Sequence, residues 1–236
     1  MRPGSDIVFV GDVHLDRNDP VLDDFVSYLG GLAGRAGRIV LIGDLFNLWI
    51  GSPELEQEHH RAVIAALTRI RAGGTEIHYL EGNRDYRIAR THLGGAFDAV
   101  SAFGLDESWG GRRIWAAHGD LVNRRDLQYR FWRGVSRSQA AWWLFSAIPR
   151  ARRFAIAESV ERRMRATNTT MKRDFPEASI RDYAARHLGA AGAAVVLGHF
   201  HVERDLSAEI FVLPEWKGGR RHLRATASGE IRFESA

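Results

Sequence analysis

Ile7-Val8-Phe9-Val10-Gly11-Asp12-Val13-His14 is the stretch that decides the fold. Its first four residues are β-branched or aromatic and do not alternate with polar ones. That composition predicts a strand. The run breaks at a glycine and passes at once to an Asp-x-His triplet. The same arrangement recurs along the chain. Strands expected at 38–42, 76–80, 113–117 and 193–197 lead into Gly43-Asp44, Gly82-Asn83-Arg84-Asp85, His118-Gly119-Asp120 and Gly198-His199-Phe200-His201. Helical periodicity at about 20–33 and 54–71 separates the early strands, and Gly73-Gly74 ends the second helix. Alternating strands and helices predict an α/β fold, with a ligand crevice beyond the carboxyl ends of the strands.

Asp12 and His14 lie two positions apart, so an extended backbone points both side chains to one face, and His199 and His201 repeat the spacing. With Asp44, Asn83 and His118 they make a set of oxygen and nitrogen donors without sulfur. Such a set suits Mn²⁺, Fe, Zn²⁺ or Mg²⁺ rather than copper or an iron–sulfur cluster. Each motif alone has a plain structural alternative: a Gly-Asp turn, or Asn83 as a left-handed turn residue. All five in order, each after an apolar strand, point instead to a dinuclear hydrolytic site for phosphate esters.

The wider composition is compatible with that chemistry. The chain has 236 residues, no cysteine and a formal net charge of +4. Thiolate ligands and disulfides are therefore excluded. No run approaches the ~20 apolar residues of a membrane span, and the N-terminus carries no apolar signal region. A single domain over 1–236 is expected. Residues 124–187 read as a helical insertion, or cap, broken at Pro149 and Pro176. Trp132, Trp142, Trp143, Leu144, Phe145 and Ile148 are interspersed there with arginines. That mixture favours either a membrane interface or a cap packed on the sheet. His59 and His60 are expected to be solvated, and His78, His92, His187 and His222 lack ligand-spaced partners. The tail from Ile210 reads as two or three antiparallel strands.

From Asp12 to His201 the chain resembles the calcineurin-like metallophosphoesterases. The resemblance implies a β-sandwich flanked by helices on both faces. It also implies one ion held by Asp12, His14, Asp44 and His201, and a second by Asp44, Asn83, His118 and His199, with Asp44 bridging and Mn²⁺ the favoured metal. That family usually has a histidine where Arg84 stands, and the histidine is thought to protonate a leaving alkoxide. Arg84 is no general acid near neutrality but can clamp phosphoryl oxygens. A phosphate leaving group, of pKa roughly 6, needs no proton. The change favours pyrophosphate cleavage; the structural alternative is an ion pair between Arg84 and Asp85.

The finer pattern resembles the bacterial UDP-2,3-diacylglucosamine hydrolases. It rests on Gly43-Asp44-Leu45-Phe46, Trp49-Ile50-Gly51, Gly82-Asn83-Arg84-Asp85, His118-Gly119-Asp120 and Arg163-Met164-Arg165-Ala166. The resemblance implies a UDP-linked glycolipid substrate in lipid A biosynthesis and water attack on the α-phosphorus. Arg84 and His199 would stabilise phosphoryl oxygens, and Asn83, Asp126, Tyr129, Asn168 and Lys172 would contact substrate. It also implies a cytoplasmic protein, monomeric, held peripherally on the inner membrane and binding no nucleic acid. The chain departs from that pattern at Ser52-Pro53, where acidic residues are usual, and Lys172 falls one position beyond the expected lysine. A metallophosphoesterase for another nucleotide-linked lipid, a nucleotide or a phosphodiester is the alternative; a scaffold without metal would be expected to lack some of the ligands.

Overall fold

The computed structural model describes residues 6–167, 175–189 and 192–236, with the side chains of 164–167 outside the description. The first half runs β1 (Asp6–Val10), α1 (Leu22–Leu32), β2 (Ala36–Leu41), β3 (Trp49–Ile50), α2 (Glu58–Ala72), β4 (Glu76–Leu80), β5 (Asp85–Tyr86) and α3 (Ile88–His92). Then come β6 (Ala99–Ser101), β7 (Leu105–Trp109) and β8 (Arg112–Ala117). Four helices follow: α4 (Leu127–Ser136), α5 (Gln139–Ser146), α6 (Arg150–Thr167) and α7 (Glu177–Leu188). The chain ends with β9 (Ala194–Leu197), β10 (Arg204–Asp205), β11 (Ile210–Val212), α8 (Trp216–Gly219), β12 (Arg221–Ala225) and β13 (Ile231–Ser235).

Two sheets form the centre. One has the order β13-β12-β1-β2-β4-β6, the other β10-β11-β9-β8-β7. The parallel strands β1, β2 and β4 carry apolar residues on both faces. Ile7, Phe9, Val40, Ile42 and Leu80 meet Ile114, Ala116, Ala194 and Val196 between the sheets. Val8, Val10, Ile39, Leu41 and Ile77 face outward onto helices. Helix α1 covers them with Phe25, Leu29 and Leu32, one stripe at helical spacing, and Asp23 and Asp24 in its first turn favour its positive end. Helix α2 adds Val63, Ala66, Leu67 and Ile70, and reciprocal hydrogen bonds between Gln57 and His60 cap its start. On the far side Ile180, Tyr183 and Ala184 of α7 pack on Val195, Leu197 and Val212. This is the expected α/β sandwich with helices on both faces.

Three expectations change. His59 and His60 are buried, at 4% and 6% exposure, because their rings, in the first turn of α2, pack against Phe46 and each other. Burial pushes the His60 imidazole down to about 3. The tail is not one antiparallel unit: β11 pairs in parallel with β9 in the second sheet, and only β12 and β13 form a hairpin. The helical stretch also divides. Helix α7 is a layer of the sandwich, whereas no described residue of α4, α5 or α6 belongs to the buried apolar clusters of the two sheets.

One charged cluster lies between the sheets. Arg38 is 8% exposed and pairs with both Glu76 and Glu107, and His78 Nδ1 lies 2.7 Å from Glu107 Oε1. Removing one partner leaves a buried charge uncompensated. Arg38→Leu is therefore expected to lower the unfolding free energy by about 3–5 kcal/mol. Urea titration of the variant beside the unmodified chain measures this.

Candidate metal centre

The ligand loops hold one another through backbone hydrogen bonds. Asp12 N donates to Gly43 O (3.1 Å), His14 N to Asp44 O (3.0 Å) and Leu15 N to Leu45 O (2.8 Å). Gly198 N donates to His118 O (2.9 Å). A spacing of two aims both side chains to one face only where the backbone of the Asp-x-His and His-x-His triplets is extended. The backbone is instead left-handed at Asp12 (φ 51°), His14 (φ 51°), Asp44 (φ 51°), His199 (φ 74°) and His201 (φ 57°). Each such non-glycine residue costs roughly 1–2 kcal/mol, and strain of this kind gathers at functional sites. Asn83 is not left-handed, so the turn-residue alternative does not describe it. Glycines make the approach possible: a Cβ on Gly82 would sit 2.2 Å from Asp44 Oδ1, and one on Gly198 would sit 2.5 Å from Asp12 Oδ2.

The side chains converge in two overlapping groups. Asp12, His14 and His201 form one; Asp12, Asp44 and His118 form the other. Asp12 is thus common to both by proximity, whereas the resemblance implied Asp44 as the shared ligand. His14 Nε2 and His201 Nε2 are 2.9 Å apart, and Asp12 Oδ1 lies 3.8 and 3.5 Å from them. Asn83 Oδ1 lies 3.0 Å from His118 Nε2 and 3.1 Å from His199 Nδ1. All seven expected ligands therefore line one pocket of donor atoms.

These residues fit divalent cations. Asp12 Oδ1 and His14 Nδ1 are buried with no hydrogen-bond partner among the described residues, an arrangement costly for any polar group left so. His118 Nδ1 faces Ile42 O at 2.9 Å, which fixes its proton there and turns the Nε2 lone pair toward Asn83 and Asp44. Without a cation the same negative field acts on protons. Burial opposes the charged form of His118, but Asp44 and Asp12 outweigh it and lift the imidazole to about 9. Burial likewise opposes ionisation of Asp12, yet the close approach of His201 and the surrounding imidazoles hold it well below the usual carboxylate range.

Two supporting carboxylates were less legible. Asp85 Oδ2 accepts from Asp44 N (2.8 Å), Gly82 N (2.9 Å) and Tyr79 Oη (2.8 Å), so it fastens the Asp44 turn to the Asn83 turn. Burial and the neighbouring Asp44 raise Asp85 to about 7. Asp120 Oδ2 accepts from Arg133 Nε at 2.7 Å and from the Tyr129 hydroxyl, which ties α4 to the strand end bearing His118. The motif spacing marked both positions, but not these partners.

Arg84 is 5% exposed, and its Nε stands 3.3 Å from Asp44 Oδ2, at the edge of the ligand pocket. Asp126 caps α4 by accepting from Tyr129 N at 2.9 Å and is otherwise exposed. Tyr129 turns its hydroxyl inward to Asp120. Asn168 and Lys172 lie outside the described residues. A groove of ≈ 220 Å³ begins beside Tyr86, two strand residues beyond the Gly82-Asn83-Arg84 turn, and is walled by Leu48, Ile50, Trp132, Trp142 and Phe145. Arg87 lies over Trp142 at 4.4 Å on its edge.

Comparison with known proteins agrees with this geometry. The calcineurin-like phosphoesterase family model matches residues 5–203. A UDP-2,3-diacylglucosamine hydrolase of Chromobacterium violaceum is 31% identical, covering 96% of this chain and 97% of its own. Another from Ralstonia nicotianae is 28% identical over 92% of this chain and 85% of its own. One from Aeromonas salmonicida is 32% identical over 64% of this chain and 59% of its own. With that match and these ligands, the chain belongs to the calcineurin-like phosphoesterases and is a metal-dependent hydrolase.

Proposed function

We propose that the chain cleaves the pyrophosphate bond of UDP-2,3-diacylglucosamine, giving UMP and 2,3-diacylglucosamine 1-phosphate, with two divalent ions, Mn²⁺ favoured. The observation that carries the substrate is the apolar groove beside the Asn83 turn, in a chain whose relatives are named for that glycolipid. Divalent ions held by Asp12, His14, Asp44, Asn83, His118, His199 and His201 would supply Lewis acidity and lower the pKa of water. The protein's own part is positioning. Asp12, Asp44 and the histidines provide the anionic, imidazole-lined cradle, and Asn83 presents its carbonyl oxygen to it. The Arg84 guanidinium, held at the pocket edge, is placed to take the oxygens of a phosphoryl group, where planar paired donors suit it. His199, kept neutral by burial, with its pKa down at about 4, is a hydrogen-bonding group for the same oxygens. Asp126, Tyr129, Asn168 and Lys172 remain the candidates for the sugar and diphosphate contacts.

The groove suits an acyl chain because its walls are aliphatic and aromatic and it opens along the insertion helices. Among the described residues no helix is long and apolar enough to cross a membrane. A monomer held peripherally on the cytoplasmic face of the inner membrane, without nucleic acid, completes the proposal. The alternative substrate is another nucleotide-linked lipid, a nucleotide or a phosphodiester.

Four outcomes test this reading. Incubation with UDP-2,3-diacylglucosamine and Mn²⁺ should release UMP, while a simple alkyl phosphodiester is turned over far more slowly; the reverse ranking rejects the pyrophosphate assignment. Asp44→Ala and His118→Ala should abolish turnover with an unchanged circular dichroism spectrum, as should stripping with a chelator until Mn²⁺ is restored. Arg84→Lys should lower kcat on the order of 10²-fold, since a point charge does not replace the planar fork. Ala141→Trp, which fills the groove, should raise KM about tenfold or more for the natural acyl length and leave a short-acyl analogue unaffected.

A further inference from the structure

Helix α4 presents four different surfaces. Tyr129 and Arg133 face inward to Asp120. Trp132 and Ser136 line the apolar groove. Leu127, Phe131 and Val135, each four residues from the last, face outward at 73%, 74% and 40% exposure. A helix of a soluble domain ordinarily buries such a stripe. The fourth surface carries Arg130, which lines a second cavity of ≈ 320 Å³ that none of the metal-site residues touches.

That cavity combines aromatic walls with cations. Trp115 stacks on His187 with centroids 4.5 Å apart and an interplanar angle of 10°, and its Nε1–H donates to the Tyr183 hydroxyl at 3.0 Å. Phe103, 71% exposed, stands at the mouth. Arg186 is paired with Asp182. Arg124 and Arg130 are exposed, and neither has an ion-pair partner among the described residues. Two uncommitted guanidiniums over an aromatic floor make a receptor for a phosphate.

We propose that this cavity takes the phosphate of an anionic phospholipid headgroup and seats the outward face of α4 on a bilayer. The proposal rests on the membrane-borne substrate read above and adds a lipid contact separate from it. The apolar stripe selects the lipid over a free anion. A soluble phosphate would satisfy Arg124 and Arg130 and leave Leu127, Phe131 and Phe103 in water. A headgroup satisfies the arginines while its neighbours' acyl chains receive those side chains. Aromatic groups at the cavity mouth suit the same depth.

Vesicle sedimentation of the full chain tests it, because binding is read without turnover. The unmodified chain should bind phosphatidylcholine vesicles containing phosphatidylglycerol more tightly than phosphatidylcholine alone. Arg124→Gln with Arg130→Gln should weaken the first on the order of 25-fold, at about fivefold per arginine, and leave the second unchanged. Leu127→Ser with Phe131→Ser should weaken both. Both double variants should keep full turnover of a soluble short-acyl substrate, which also shows that they fold. Arg69→Gln with Arg90→Gln removes the same charge elsewhere and should bind like the unmodified chain. Equal loss in that control, or no loss in the cavity variant, overturns the proposal. So does binding of glycerol 3-phosphate to the cavity by a chain that ignores both vesicle types. Vesicle selectivity in a chain inactive on the UDP-lipid would reject the substrate reading and leave this one standing.

Discussion

Asp12 and Asp44 are carboxylates buried together where the strand-end loops meet, and the site is organised around compensating them. Water cannot reach them freely, so charge must come from imidazoles, a guanidinium, peptide N–H groups and bound cations. That requirement brings His14, His118 and His201 inward and sets Arg84 within 3.3 Å of Asp44. It also explains the left-handed backbone at five of the ligands. A chain leaving a strand end can aim short side chains back into one small volume only by turning sharply. The hydrogen bonds between the Asp12 and Asp44 loops, and those of Asp85, hold the turns in place.

Much of this was legible in the sequence because strand burial and ligand spacing write themselves into consecutive residues. Ile7-Val8-Phe9-Val10 needs both faces covered, and α1 and the second sheet cover them. The ligand motifs stand where apolar runs stop. Packing partners distant in sequence were not legible. His59 and His60 lie in a polar-looking stretch, yet Phe46, thirteen residues earlier in the chain, shelters both. Residues 210–212 read as part of a terminal meander because their parallel partner, β9, precedes them by a separate loop. The triplets showed which side chains converge but not the backbone that aims them, since period-two spacing holds only while the chain stays extended.

The metal pocket and the groove are joined by short chain segments rather than by a shared wall. Asn83 belongs to the pocket, and Tyr86, three residues on, belongs to the groove. Arg137 reinforces this junction from α4's C-terminal end by donating to Asp85 O at 2.8 Å and to Gly82 O. A displacement of the insertion would therefore be felt at the turn carrying Asn83 and Arg84. The groove wall and the turn carrying Asn83 and Arg84 are mechanically connected through that segment.

Helix α4 carries the widest consequence. Its inward side is latched to Asp120, one flank lines the groove, the other borders the arginine cavity, and the remaining side is the exposed apolar stripe. A typical surface helix has a solvent side where sequence drifts without penalty. This one has two sides already committed, one to Asp120 and one to the groove wall. A change at Arg133 meets the demand of the Asp120 latch and one at Trp132 the demand of the groove wall, so neighbouring positions of one helix answer to different constraints.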